Sequence, residues 1–469
     1  MPSMTINGAQ VSSSTMFDVV DPTTGHCAAQ APDCTPQQLD DAFAAADAAG
    51  RAWRVDIDER RKAMLRLAEA ITAAGDELTA DLVLETGKPT PLAASEAPIC
   101  GTWLQVFADM VIPRRVLQDD ASALIEVAHR PLGVVAAITP WNFPLALAMW
   151  KIAPALLAGN TMVLKPSPFT PLATLRLGRI MGEVLPPGVV NVVTGGDDLG
   201  RALAAHPTPR KITFTGSVAG GKSVAASAGA DLKRVTLELG GNDATILMSD
   251  VDLSAAVPRI LGVAFFNTGQ ACALPKRIYV PDALYDEAVD AFAAAAATIE
   301  VGPQMGPLST RPQYERVTAL AAAAISGGAR VATGGGPVDG PGYYFAPTIL
   351  ADVADDARVV VEEQFGPVLP VLRYSDIDDA VERANSTMFG LCGSVWGTDI
   401  DAAGAVAERL ECGTTFVNTH AALLPTVPFS GSKWSGVGVE NGVEGLLAFT
   451  EPQVVHTARE AELVRRGPL

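Results

Sequence analysis

The sequence predicts an α/β protein built on two doubly wound parallel sheets, and three observations carry that expectation. Short β-branched runs alternate with helical stretches from about residue 134 to 240. A second alternation of the same kind continues to about residue 418. The length of 469 residues also exceeds what one hydrophobic core supports, which calls for two or three domains.

The first block begins at residues 134–138, a β-branched run bounded by Pro140, as in a buried parallel strand. A helical stretch then runs to Leu157, and Gly159-Asn160 closes it. Residues 161–164 read as a second strand, with a helical pattern over 172–184 behind it. Strands over 189–193, 211–214 and 234–239 follow, separated by helices near 199–205 and 219–228. The second block opens with a helix over 252–267 and a strand at 278–280. It continues with an alanine-rich helix over 285–299 and a loop over 301–311. Strands at 368–372, 393–396 and 415–418 alternate with helices near 377–385 and 402–410.

Residues 134–159 are also the most apolar span, but Pro140, Asn142, Pro144, Lys151 and Pro154 make a membrane helix unfavourable there. Met1 to Gln10 lack the basic start and apolar stretch of a signal peptide. A formal charge of −18 speaks against nucleic acid or an anionic membrane as partner. Six scattered cysteines without short paired spacing argue against a disulfide scaffold or a metal site, and suit a reducing cytoplasm.

In doubly wound sheets, ligands bind beyond the carboxyl ends of the strands. Those ends here carry Thr139-Pro140-Trp141-Asn142-Phe143-Pro144, Lys165-Pro166-Ser167, Thr215-Gly216-Ser217 and Glu238-Leu239-Gly240-Gly241. Each is unremarkable as a βα loop, but four polar or glycine-bearing turns in succession suit a nucleotide pocket. Gly216-Ser217 opens a helix and presents free N–H groups to a pyrophosphate. The G-x-G-x-x-G fingerprint is absent.

Cys272 follows the polar turn Thr268-Gly269-Gln270 after an apolar run. Isolated cysteines are more often small buried hydrophobes than catalysts. A thiolate on an accessible turn is, however, a strong nucleophile toward a carbonyl carbon.

Taken in order, several segments resemble the aldehyde dehydrogenase superfamily over nearly the whole chain. They are Asp21-Pro22-Thr23-Thr24-Gly25 and residues 138–145, 159–166, 214–217, 238–241, 265–272, 362–367 and 428–436. The branch most similar is that of non-phosphorylating bacterial enzymes with Gly240-Gly241-Asn242-Asp243 after the glutamate and Lys276-Arg277-Ile278-Tyr279-Val280 after the cysteine.

The resemblance implies a Rossmann-like cofactor domain over 1–120 and 131–240 and an α/β catalytic domain over 241–435. It also implies an oligomerisation flap from strands in 121–130 and 445–460, where residues 122–128 and 453–456 read as strands, giving a homodimer or homotetramer. Cys272 becomes the nucleophile, Asn142 with the Cys272 N–H the oxyanion donors, and Glu238 the base that hydrolyses a thioester. Lys165, Gly216, Ser217, Trp141, Glu363, Phe365 and Gly240 become cofactor contacts. Phe143, Ala146, Leu147, Trp150, Ala271, Ala273, Leu423 and Phe429 would line the tunnel for an uncharged aldehyde. Pro168 stands where many NAD-preferring members carry a glutamate, so NAD is expected with NADP open. Two alternatives remain: a coenzyme A-acylating variant, which Glu238 disfavours, and a non-catalytic member, which the retained set of functional residues disfavours.

Overall fold

The computed structural model describes residues 2–459. Five parallel strands form the centre of an eight-stranded sheet. Across the sheet they run Val190–Val192, Thr161–Lys165, Val134–Ile138, Lys211–Thr215 and Arg234–Glu238. Strand order therefore reverses beside Val134–Ile138, which makes the carboxyl ends of that strand and of Lys211–Thr215 a switch point. Met4–Ile6 and Ala9–Val11 extend one edge antiparallel, and Gly436–Val437 closes the other against Leu237 and Glu238. All residues of Thr161–Lys165 and Lys211–Thr215 are buried, as strands covered by helices on both faces require.

Two buried glutamates set helices onto this sheet. Pro144–Ala158 starts with Pro144 and ends at Gly159, whose φ of +93° only glycine adopts freely. Its first free N–H groups, from Leu145 and Ala146, donate to Glu96 Oε2 at 3.0 and 3.1 Å. Glu85 does the same for Leu172 and Ala173 of helix Leu172–Val184. A carboxylate on free N-terminal N–H groups is favoured by the helix dipole. Both glutamates come from helices of the N-terminal region, Gly75–Thr86 and Glu96–Asp109.

The second sheet has seven strands. They lie in the order Arg330–Thr333, Thr348–Ala351, Val368–Tyr374, Pro275–Pro281, Asp243–Leu247, Cys392–Trp396, Thr414–Val417, all parallel except the first. Side chains alternate between two apolar layers. Tyr279, Leu350, Leu372 and Val395 enter one cluster, while Ile278, Val280, Ile349, Val371 and Trp396 enter the other. That period of two, buried on both sides, is the doubly wound pattern.

Three elements of this half differ from the sequence reading. Asp243–Leu247 is a central strand, hidden because polar Asn242-Asp243 breaks its apolar run. Thr348–Ala351 is another parallel strand, and Arg311–Ser326 is a helix capped by the Thr310 side chain.

A separate ribbon pairs Thr450–Ala458 with Ala123–Pro131 in continuous antiparallel register, from Thr450 opposite Pro131 to Ala458 opposite Ala123. Arg115–Asp119 adds a third strand, so the ribbon starts before residue 121, and helix Gly442–Leu447 reaches past 445 at its other limit. Residues 1 and 460 of the expected domain limits lie outside the described residues. Among those residues, no helix is long and apolar enough to cross a membrane.

Candidate active site

A cleft of about 630 Å³ opens between the carboxyl ends of the two sheets. Trp141, Asn142, Gly216, Ser217, Glu238 and Gly240 line it from the first sheet, and Leu147 from the helix behind. Cys272, Glu363 and Phe365 line it from the second half. Ten residues singled out from the sequence thus meet in one cavity, although they span more than two hundred positions.

The turn before Cys272 is held by its own polar side chains. Asn267 and Thr268 adopt φ of +50° and +60°, and Gly269 +72°, a run that needs external support. Gln270 supplies it by donating to Asn267 O at 3.0 Å and accepting from the Ser309 N–H at 2.8 Å. Thr268 Oγ1 donates to Gly306 O. A side chain at Gly269 would overlap the Gly366 carbonyl, so this glycine serves close approach as well as φ. Asn142 Nδ2 donates to Gln270 O at 3.0 Å, and Asn267 Nδ2 returns a bond to Asn142 O at 3.2 Å. The amide expected to hold an oxyanion is therefore clamped to the turn that carries the thiol. Cys272 itself is half-buried. Burial first, then the charges of Glu238, Asp243 and Glu363, push its thiol well above the ordinary range.

Glu238 ends strand Arg234–Glu238 and is 3 % exposed. Both carboxyl oxygens are buried without a hydrogen-bond partner. Burial, reinforced by Glu440 and opposed by Lys151, holds this carboxyl well above the usual range. Lys151 donates to Thr215 Oγ1 and to Glu440 Oε1, both at 2.6 Å, so a buried ion pair stands behind Glu238. A buried carboxyl without a hydrogen bond to hold its charge is a costly feature in a fold.

The neighbouring wall suits a dinucleotide. Helix Val218–Ala230 starts at Ser217, whose hydroxyl accepts from the Gly220 N–H at 3.1 Å, with Gly216 before it at the cleft. A side chain at Gly240 would overlap the carboxylate of Glu363, and the Gly241 N–H donates to Glu363 Oε1 at 2.8 Å. Burial raises the Glu363 carboxyl to about 7. Trp141 meets Phe365 edge to face at 5.3 Å. Lys165 is buried outside the cleft lining, and burial lowers its ammonium to about 8 against the pull of Asp197 and Asp33.

The expected tunnel residues divide. Phe143, Ala146, Leu147 and Trp150 recur at helical spacing on one face, and Leu147 reaches the cleft. Trp150 stacks on Trp103 at 5.8 Å and meets Phe429 edge to face at 5.6 Å. Phe143 stacks on Phe266 at 5.7 Å, under the ammonium of Lys88 at 3.9 Å. Ala273 is buried, while Ala271 and Leu423 are half-buried. The sequence reading missed Trp103 and Phe266 as partners of this wall. Only the 3.6-residue repeat beside Trp150 could have hinted at an aromatic cluster.

The aldehyde dehydrogenase family model matches residues 9–455. The chain belongs to the aldehyde dehydrogenase family. An aldehyde dehydrogenase from Fusarium sp is 39% identical over 96% of this chain and 97% of its own. The solved NAD+ complex of an aldehyde dehydrogenase from Bacillus cereus superposes with a TM-score of 0.95 at 34% identity, covering 98% of this chain and 96% of that one. An NADP dependent enzyme of E. coli gives the same TM-score at 34% identity, covering 97% and 98%. This dehydrogenase is an oxidoreductase that oxidises aldehydes with NAD or NADP.

Proposed function

We propose that this dehydrogenase oxidises an uncharged, apolar aldehyde to its carboxylic acid by a hydrolytic route through Cys272. The observation that carries the reading is the buried, unpartnered carboxyl of Glu238 in the same cleft as the Cys272 thiol. Cys272 gives up its thiol proton to solvent, Sγ attacks the carbonyl carbon as the thiolate, a C–S bond forms, and the π pair moves onto oxygen. Asn142 gives one amide N–H to Gln270 and keeps a second, which with the Cys272 N–H would meet that oxyanion. A bound nicotinamide supplies the acceptor for the hydride leaving the same carbon. Cys272 is then left as a thioester. Glu238 takes a proton from water, the water oxygen attacks the thioester carbon, and the thiolate leaves as the acid departs.

Ser217 and Gly216 would hold the pyrophosphate, Glu363 the nicotinamide-side ribose, and Phe365, Trp141 and Gly240 the space around the ring. Lys165 would serve the adenosine ribose. Pro168 offers no carboxylate against a 2′-phosphate, but Asp33 and Asp197 act on Lys165, which favours NAD. Leu147 at the cleft, backed by Trp150 on the same helix face and the buried Phe429 that it meets, favours an apolar aldehyde.

An aldehyde panel run with each cofactor, read by absorbance of the reduced cofactor, tests this directly. No aldehyde-dependent reduction of either cofactor overturns the reading. Acyl-coenzyme A as product would assign the thioester a different fate.

Exposed valines on the ribbon's edge strands, Val116 and Val454, support a homodimer or homotetramer built through that ribbon. Elution at monomer mass with light scattering would refute it. The free cysteines fit a cytoplasmic setting.

A further inference from the structure

Lys276 is the first residue of the Lys-Arg pair after the nucleophile, and nothing in the reaction above uses it. It is 1 % exposed, and its two hydrogen-bond partners are backbone carbonyls. Nζ donates to Gly269 O at 2.6 Å, on the turn that carries Cys272. It also reaches Gly366 O at 3.4 Å, on the loop that carries Glu363 and Phe365.

Both loops need such a hold. Asn267, Thr268 and Gly269 on one and Phe365 on the other have positive φ. The loops touch where Gly269 has no room for a side chain beside Gly366. Gln313 Nε2 supports the second loop separately, through Gln364 O at 2.8 Å and Phe365 O at 2.9 Å. Lys276 joins the two. Burial lowers its ammonium to about 8, against the pull of Glu363, Asp243 and Cys272, the reacting thiol among them. By reciprocity, the ammonium favours the thiolate of Cys272 while it keeps its proton.

We infer that Lys276 is a positioning residue whose ammonium clips the nucleophile turn to the cofactor loop, keeping Cys272 and Glu363 in one arrangement. The inference rests on the reading of Cys272 as nucleophile. Cofactor affinity and thiol reactivity are thereby linked through one buried cation. A side chain that merely filled space would link neither.

The test uses full-length Lys276→Met, Lys276→Gln and Lys276→Arg beside Cys272→Ala. Two quantities are read: cofactor Kd by tryptophan fluorescence, and the pH profile of thiol alkylation by iodoacetamide, with the Cys272→Ala background subtracted. Lys276→Met should weaken cofactor binding by about tenfold and move the alkylation profile to higher pH, as expected for coupled neighbours. Lys276→Arg should recover part of both, because charge and donors remain. Lys276→Gln keeps a donor without charge, so it should recover binding more than the alkylation profile, and it serves if the methionine variant does not fold. A folded Lys276→Met with both quantities at wild-type values, even with a lower Tm, overturns the inference. If Cys272→Ala oxidises aldehydes as wild type does, the nucleophile reading fails, whatever the lysine variants show.

Discussion

The cofactor wall of the cleft comes from turns that follow successive strands of one sheet, whereas the Cys272 wall is gathered from distant segments. On the first wall Ser217 caps its own helix, and the one long reach is that of Gly240 and Gly241, which make room for and bond Glu363. On the second, Asn142 is clamped to Gln270, 128 positions away, and Lys276 reaches Gly366, 90 positions away. Around the thiol, buried groups of unusual protonation gather with left-handed backbone. A wall made of local turns should tolerate substitution by weakening binding. A wall of interlocked buried groups should instead lose chemistry, with binding weakened only where a residue also holds the cofactor loop, as Lys276 does.

Breaking the second wall should give the largest effects. Cys272→Ala should lower kcat by on the order of 10⁴-fold or more while cofactor Kd stays near wild type, since removing a nucleophile removes the route itself. Glu238→Gln should slow steady-state turnover by about 10²- to 10⁴-fold yet keep the first burst of reduced cofactor, the range expected for a general base. Loss of the burst would move Glu238 into the first half of the reaction. Asn142→Ala should cost about 10²- to 10³-fold in kcat, the usual cost of one oxyanion donor, read by single-turnover kinetics. The pH profile carries a sign as well. Cys272 and Glu238 are both held protonated above their ordinary ranges, and on the proposed route both act deprotonated, so the acylation rate through Cys272 and the deacylation rate through Glu238 should each rise with pH. In Glu238→Gln the deacylation rate should lose that rise.

The same contrast governs how far the sequence could be read. Strand Val134–Ile138 and helix Ile377–Asn385 were expected at those limits, because periodicity and flanking breakers are local signals. Asp243–Leu247 escaped because its first residue is a charge that belongs to a buried contact. Asp243 accepts the Cys392 N–H at 3.0 Å and faces His420 at 3.2 Å. Arg311–Ser326 began with Arg-Pro-Gln, whose Thr310 cap and early proline were the readable sign. Helix Pro36–Trp53 carried the fuller signal of Thr35 and Gln38 bonded reciprocally, with Pro36 between them. Family likeness supplied Cys272, Glu238 and Asn142 as candidates. It could not supply Trp103 against Trp150, or Lys276 against Gly366, because each contact joins separate segments that meet only when one half folds on itself.

Glu363 offers the mildest way to sharpen the comparison, since it sits where the two walls meet. Its carboxyl titrates near 7, because burial outweighs the Gly241 N–H and the nearby Lys276 ammonium. Between the ordinary carboxylate range near 4.5 and about 7, the folded chain holds a proton there that the unfolded chain has lost. Stability from this group therefore falls as pH rises through that window, the reverse of a salt-bridged carboxylate. Cofactor binding should run the other way, because the ionised carboxylate is the better acceptor for ribose hydroxyls. Affinity should thus rise by up to about tenfold per pH unit below 7 and level off above it. Glu363→Gln should flatten the dependence at roughly the low-pH affinity and move Cys272 alkylation to lower pH, since one of the charges that raises the thiol is gone. Isothermal titration of the cofactor between pH 6 and pH 8.5 reads this slope. A wild-type Kd that is flat across that range would remove Glu363 from the cofactor grip and leave it as a brace for Gly241.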